Sequence, residues 1–193
     1  MDITQLIKFL EFNNWIDYLV AVYLGSFVVQ LFYYLFFFSR LAFFKPKDNN
    51  GETVPVSVII CAKNERDNLL TFLPDYLGQN YPIFEIIVVN DSSVDDTDDV
   101  LRAFALQYKT LKIVNVPDTD RFYGSKKFAL TLGIKAAQYD HVLLTDADCK
   151  PSSPNWIKLM SQYAKKKGVV LGFGAYERKK GLLNKLIRFE TFY

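Results

Sequence analysis

The sequence is short of the residues on which many reaction types depend. It holds one histidine, His141, and two cysteines, Cys61 and Cys149. His141 opens an apolar run with no partner at catalytic or ligand spacing, which argues against a nucleophilic triad and a zinc centre. The cysteines lie far apart and form no CxxC pair, so they read as small buried hydrophobes that stay thiols. There is no GxxxxGK[ST] loop and no GxGxxG after the first apolar run, which argues against a P-loop ATPase and against dinucleotide binding. With 23 basic and 21 acidic residues the net charge is only +2, and no electrostatic footprint for nucleic acid is left.

Charge is missing altogether from residues 18–38, "YLVAVYLGSFVVQLFYYLFFF". A helix of that length rises roughly 30 Å, about one hydrocarbon core. A signal peptide does not fit: the run is too long, acids (Asp2, Glu11, Asp17) precede it, and bulky Phe36, Phe37 and Phe38 end it. The alternative is a buried core helix, and the length favours a membrane anchor over 1–47. Lys8 is the one basic residue ahead of the span, whereas Arg40, Lys45 and Lys47 follow it, so the positive-inside rule puts the main domain in the cytoplasm. The glycosylation pattern at Asn90–Ser92 is inert on that side of a membrane.

After a polar linker over 45–55, apolar runs alternate with amphipathic ones through the domain 48–193. "VSVIICA", "FEIIVVND", "LKIVNV" and "HVLLTDAD" read as strands. "NERDNLLTFLPDYL", "DDTDDVLRAFALQY", "KKFALTLGIKAAQ" and "PNWIKLMSQYAKKK" read as helices. In the first helix Leu69, Leu70, Leu73, Tyr76 and Leu77 form one stripe. Alternation of this kind predicts an α/β fold with a mostly parallel sheet and helices on both faces. Ligands in such sheets bind beyond the carboxyl ends of the strands. Three polar clusters fall there: "AKNE" at 62–65, "NDSS" at 90–93 and "DAD" at 146–148.

Simpler roles compete for several of these residues. Asp95 and Asp96 read as helix caps and first-turn acids, Asn64 as a possible N-cap, and Lys165, Lys166 and Lys167 as helix-ending cations. Asp146 and Asp148 are harder to dismiss. On an extended strand they would point the same way about 6.6 Å apart. At an effective dielectric of about 20 they would repel by about 2.5 kcal/mol. Open solvent, a basic side chain or a bound cation could offset that. A glycosidase pair is disfavoured, because two acids on one strand do not easily flank a sugar. Lys126 and Lys127, at a predicted helix N-terminus after "YGS", supply charge for a phosphate-bearing ligand.

Taken in order, "VSVIICAKNERDNL", "EIIVVNDSSVDDT", "GSKKFAL" and "VLLTDADC" resemble the nucleotide-sugar half of family 2 glycosyltransferases with the GT-A fold, over about residues 54–175. A lone DxD is weak, but the ordered set of four is specific. The resemblance implies an enzyme of the hexosyltransferase class, inverting, that moves a sugar from a nucleotide sugar, with a UDP-sugar favoured, to a glycan or lipid acceptor. It implies that Ala62 and Glu65 line the nucleoside pocket, that Asp91 bonds the base or ribose, and that Lys126 lies near the nucleotide. It further implies that Asp146 faces the ribose or a metal-bound water and that Asp148 coordinates Mg²⁺ or Mn²⁺ bridging the diphosphate. The family's later acidic base and QxxRW segment have no counterpart. After Asp148 the only carboxylates are Glu177 and Glu190, and "RFETFY" ends in mid-helical pattern, as a truncated chain would. A donor-binding subunit lacking the base, or a nucleotidyltransferase, are the alternative readings.

Overall fold

The computed structural model describes residues 14–43, 53–116, 126–163 and 168–192. Lys8, Lys45, Lys47, most of the expected linker, the Gly124–Ser125 turn and Lys165–Lys167 therefore lie outside the described residues. The chain divides into two units, Met1–Asp48 and Asn49–Tyr193.

In the first unit α1 (Trp15–Tyr33) passes into a π-helical stretch, Tyr34–Phe38, and a final turn, α2 (Ser39–Ala42). The Asp17 carboxylate accepts the Asn14 backbone N–H at 3.0 Å and so closes the helix start. Trp15–Phe38, 24 residues, is the one helix among those described that is long and apolar enough to cross a membrane, and none of that span is buried. It begins three residues before the charge-free stretch does. Stacking along the wider turn pairs Phe32 with Phe36 at 5.6 Å and Tyr33 with Phe37 at 4.9 Å between ring centroids.

The second unit is built on four parallel strands: β1 (Val56–Ala62), β2 (Phe84–Asn90), β3 (Leu111–Asn115) and β4 (His141–Asp146). Their order across the sheet is β3-β2-β1-β4. The chain winds outward from β1 through β2 to β3, then crosses back to lay β4 on the other side of β1. That reversal opens a crevice at the carboxyl ends of β1 and β4.

Helices α3 (Arg66–Leu77), α4 (Thr97–Gln107), α5 (Lys126–Ala136), α6 (Trp156–Ser161) and α7 (Leu182–Phe192) complete the unit. Leu69, Leu73 and Tyr76 of α3, Leu101 of α4 and Ile157 of α6 pack with Val58, Ile60, Ile86 and Val88 of the sheet. Ala129 of α5 packs with Ile59, Ile87 and Val89, which point the opposite way. Burial on both faces is why β1 and β2 read as unbroken β-branched runs.

Several expectations need correction. Among the described residues β4 is an edge strand, and Val142 and Leu144 are 40% and 48% exposed on the face it shares with Ile59. It also stops at Asp146, opposite Cys61, so Asp148 lies in a turn and not two places along a strand. Leu70 falls outside the buried stripe. Cys149 is exposed and Cys61 only part-buried.

Asn64 is not the helix cap. Glu65 holds that position, and Asn64 takes a left-handed conformation (φ 56°) in which its Oδ1 accepts the Val94 N–H at 2.9 Å. Asp96 holds the N-cap position of α4 but makes no capping bond with its side chain; Asp95, one residue earlier, accepts the Thr97 N–H at 3.1 Å and, across the loop, the Arg66 N–H at 3.4 Å. Slight desolvation raises the Asp95 carboxyl, but bonds from the Thr97 hydroxyl and amide and the Arg66 amide outweigh it and hold it below its ordinary value.

The seat of α5 on the sheet depends on Gly133, where a Cβ would stand 2.6 Å from Ile59 Cγ2 and 2.9 Å from Val89 Cγ2. Both neighbours are β-branched and buried, so the helix itself must move. Gly133→Ala is expected to cost about 1–3 kcal/mol by overpacking, read as a lower urea midpoint. An unchanged midpoint would show that α5 does not sit this close.

Candidate functional site

The carboxyl ends of the strands bring distant residues into one cavity of about 260 Å³. Its walls include Ala62 and Glu65 after β1, Asp91 after β2, Lys126 at the start of α5, and Asp146 and Asp148 at and beyond the end of β4. All six positions singled out in the sequence are therefore together. A larger open concavity, about 620 Å³ between α3 and α4, contains none of them. Chemistry, not size, marks the smaller one.

Each wall is held by the backbone. The Asp91 N–H donates to the Ala62 carbonyl at 2.8 Å, so the loops after β1 and β2 stay in register, and Asp91 itself is buried. The Asn64 N–H donates to Ser93 Oγ at 3.0 Å and the Glu65 N–H to Thr97 Oγ1 at 3.0 Å, which ties the same loops further along. Glu65 Oε2 accepts from Asn68 Nδ2 at 2.6 Å. Beyond β4 the Cys149 N–H donates to the Asp146 carbonyl at 3.2 Å and closes a turn. Ala147 in that turn is buried against the core, whereas Asp146 and Asp148 on either side of it are exposed.

The charge on Asp146 is met by a side chain. Lys126 Nζ lies 2.7 Å from Asp146 Oδ1. That hydrogen bond, more than the wider field of the site, raises the Lys126 pKa above its ordinary value. Both side chains are more than half exposed, so the pair contributes at most about 1 kcal/mol. Asp148 has no ion pair among the described residues and meets only the Cys149 thiol, at 3.6 Å. The donor set open to a cation is thus the Asp148 carboxylate and the second oxygen of Asp146. Hard oxygens of this kind suit Mg²⁺ or Mn²⁺, which take one or two carboxylates and complete their shell with phosphate and water. No cluster of three or more possible protein ligands occurs among the described residues, so a cation here would need oxygens from a ligand.

Burial is the main cause that raises both thiols, Cys61 on the cavity wall and Cys149 beside Asp148, which keeps them protonated.

Residues 57–192 match the model of the family described as glycosyl transferase family 2. The chain belongs to that family. Among family 2 relatives, a probable glycosyltransferase of Bacillus subtilis (strain 168), YdaM, is 33% identical over 152 residues, 76% of this chain and 36% of the relative. A poly-beta-1,6-N-acetyl-D-glucosamine synthase of Staphylococcus epidermidis is 29% identical over 165 residues, 82% of this chain and 38% of the synthase. The mannosyltransferase PcManGT from Pyrobaculum calidifontis, solved in complex with GDP-Man and Mn²⁺, superposes with a TM-score of 0.60 at 26% identity, over 75% of this chain and 42% of that one. This family 2 chain therefore spans under half the length of each. The likeness also bears out the α/β GT-A architecture expected from the sequence.

The sequence reading did not assign Cys61, Lys63, Ala129 or Ala147 to the cavity wall, and it missed a residue behind that wall. Tyr76 reads there as part of an apolar stripe, yet its hydroxyl lies 3.0 Å from Thr145 Oγ1 and donates to the Cys149 carbonyl at 3.1 Å. A tyrosine inside a helix stripe is itself a signal, since a buried phenol needs a partner.

Burial above all pushes the Tyr76 phenol up to about 12. From about pH 10 to 12 the folded chain holds that proton while the unfolded chain releases it, so stability falls as pH rises through the window. Urea midpoints measured across it should fall less steeply in Tyr76→Phe than in the wild type, and equal slopes would contradict the assignment. Lys126→Met is expected to change stability by no more than about 1 kcal/mol, because its ion pair is exposed. A larger loss in the same assay would make Lys126 a structural residue.

Proposed function

We propose that this chain is the donor-binding part of a membrane-anchored glycosyltransferase that passes a sugar from a nucleotide sugar to a glycan or lipid acceptor, with inversion and with a divalent cation. The observation that carries the reading is the cavity at the reversal of strand order, where Asp91, Lys126, Asp146 and Asp148 converge. Ala62, Glu65 and Asp91 form the nucleoside side: Ala62 leaves room for a flat group and Asp91 accepts hydrogen bonds from base or ribose. Lys126 meets the diphosphate. Asp148 and the free oxygen of Asp146 hold the cation. A bound Mg²⁺ or Mn²⁺ would supply positive charge to offset the negative charge that builds on a departing nucleoside diphosphate.

The donor to test first is a UDP-sugar. A GDP-sugar is the natural competitor, since PcManGT was solved with GDP-Man. α1 crosses the membrane, with Arg40, Lys45 and Lys47 on the cytoplasmic side.

Transfer also needs a base for the acceptor hydroxyl. Neither Glu177 nor Glu190 lines the cavity, and Glu177 is 85% exposed at its side chain. This favours, as a second reading, a chain that binds donor but depends on further residues for the chemistry.

Titrating UDP onto the chain is expected to give binding that requires Mn²⁺ or Mg²⁺ and is abolished by EDTA. Asp148→Ala should weaken it by more than the roughly tenfold that loss of an outer-shell partner costs. Binding indifferent to metal would overturn the cation assignment. With labelled donor and acceptor, release of nucleoside diphosphate together with sugar transfer supports the enzyme. Binding without transfer supports the second reading, and release of pyrophosphate would revive a nucleotidyltransferase.

A further inference from the structure

The turn that carries Asp146 and Asp148 is tied on both of its sides to the carboxyl end of α3 and the residues that follow it. Tyr76 bonds Thr145 Oγ1 just before the two acids and the Cys149 carbonyl just after them. Lys150 pairs with Asp75 at 3.3 Å. Gln79, itself buried, donates to the Ser153 carbonyl at 2.9 Å and accepts the Ile157 N–H at 3.1 Å, and the Asn80 N–H donates to the Pro154 carbonyl at 2.7 Å. The Tyr76 ring is only 2% exposed and stands edge-on to Trp156, with centroids 5.6 Å apart.

We infer that Tyr76 is a positioning residue that spans the base of this turn and presents the two carboxylates in the arrangement a cation and a diphosphate can share. One acceptor would satisfy a buried phenol. Tyr76 has two polar partners, and they bracket the acids. With Thr145 and Cys149 held from below, and Ala147 packed into the core between them, Asp146 and Asp148 are left facing outward. Among the described residues β4 is an edge strand that ends at Asp146, so the described sheet holds the turn from one side only. The hydroxyl supplies the missing constraint. Groups that fix metal ligands from behind commonly govern metal affinity by about 10- to 100-fold.

The inference rests on the metal-dependent reading above, and the test separates the two. UDP affinity of the full chain is measured by calorimetry in Mn²⁺ and again in EDTA, for wild type, Tyr76→Phe, Thr145→Val and Ser57→Ala. Ser57 is a control at the far end of β1, where its hydroxyl donates to Glu85 Oε1 at 2.6 Å and accepts the Tyr139 N–H at 3.2 Å. Losing these hydrogen bonds perturbs the fold on a scale comparable to the Tyr76 change without touching the turn.

The expected result for Tyr76→Phe is a Kd about tenfold weaker in Mn²⁺ with less than about a twofold change in EDTA. Thr145→Val should move the same way by less, because the bond to Cys149 survives, and Ser57→Ala should move neither Kd. If wild type shows metal-dependent binding and Tyr76→Phe keeps the same ratio of the two Kd values, or Ser57→Ala shifts it equally, the positioning role is overturned and the site stands. If wild type shows no metal dependence, the site reading fails and this inference fails with it.

Discussion

Everything in the second unit hangs from the parallel pairing of β1 with β4. β1 is the only strand of this sheet that meets partners on both sides from opposite directions of the winding: β2 follows it directly, and β4 returns after two further crossovers. Parallel pairs cannot be made by tight turns, so each connection must run back over the sheet, and the loops that begin these connections gather at one rim. The register sets Ala62 beside Asn90 and Cys61 beside Asp146. Three polar loops are therefore brought together by backbone hydrogen bonds alone, before any side chain interacts.

Packing decides what those loops present. Helices cover β1 and β2 on both faces, and the buried β-branched side chains leave little freedom for the strands to slide. Among the described residues β4 has helices against one face only and no strand beyond it. Its end is steadied from α3, by the Tyr76 hydroxyl and the Gln79 amide, and by the burial of Ala147. A loosely held edge strand with a firmly held terminal turn is a reasonable arrangement for a binding site. The acids remain open to a ligand while their backbone is fixed.

The electrostatics follow from the same geometry. Two like charges close together need a counter-charge, and Lys126 provides it for Asp146, while Asp148 has no ion pair among the described residues. Because the ion pair is exposed, it can open at little cost when a better partner for the lysine arrives. In the proposed complex a diphosphate with its cation would be such a partner, its oxygens taking the ammonium and the cation the carboxylates.

Much of this was legible in the residues. β1 and β2 are continuous β-branched runs because both faces are buried, and their ends were read to within a residue. The helix stripes at Leu69, Leu73, Tyr76 and Leu77 and the charge-free stretch of α1 are local periodic or compositional signals of the same kind. Five of the six cavity residues stand at or just after the end of a strand, and Lys126 stands at a helix start after "YGS". What failed was anything that depends on a distant neighbour. Nothing near "HVLLTDAD" shows that its strand lies at an edge and stops at Asp146, and nothing near Asn64 shows that its amide oxygen is claimed by Val94. The Lys126 to Asp146 bond joins residues 20 apart in sequence, and the Tyr76 bonds reach 69 and 73 residues away. Periodicity and composition act within a few residues, so the sequence by itself determined the elements, their alternation and which side chains could carry chemistry. Strand order and long-range hydrogen bonding act between elements, so only the tertiary structure decided which acid meets the lysine and what holds the two in place.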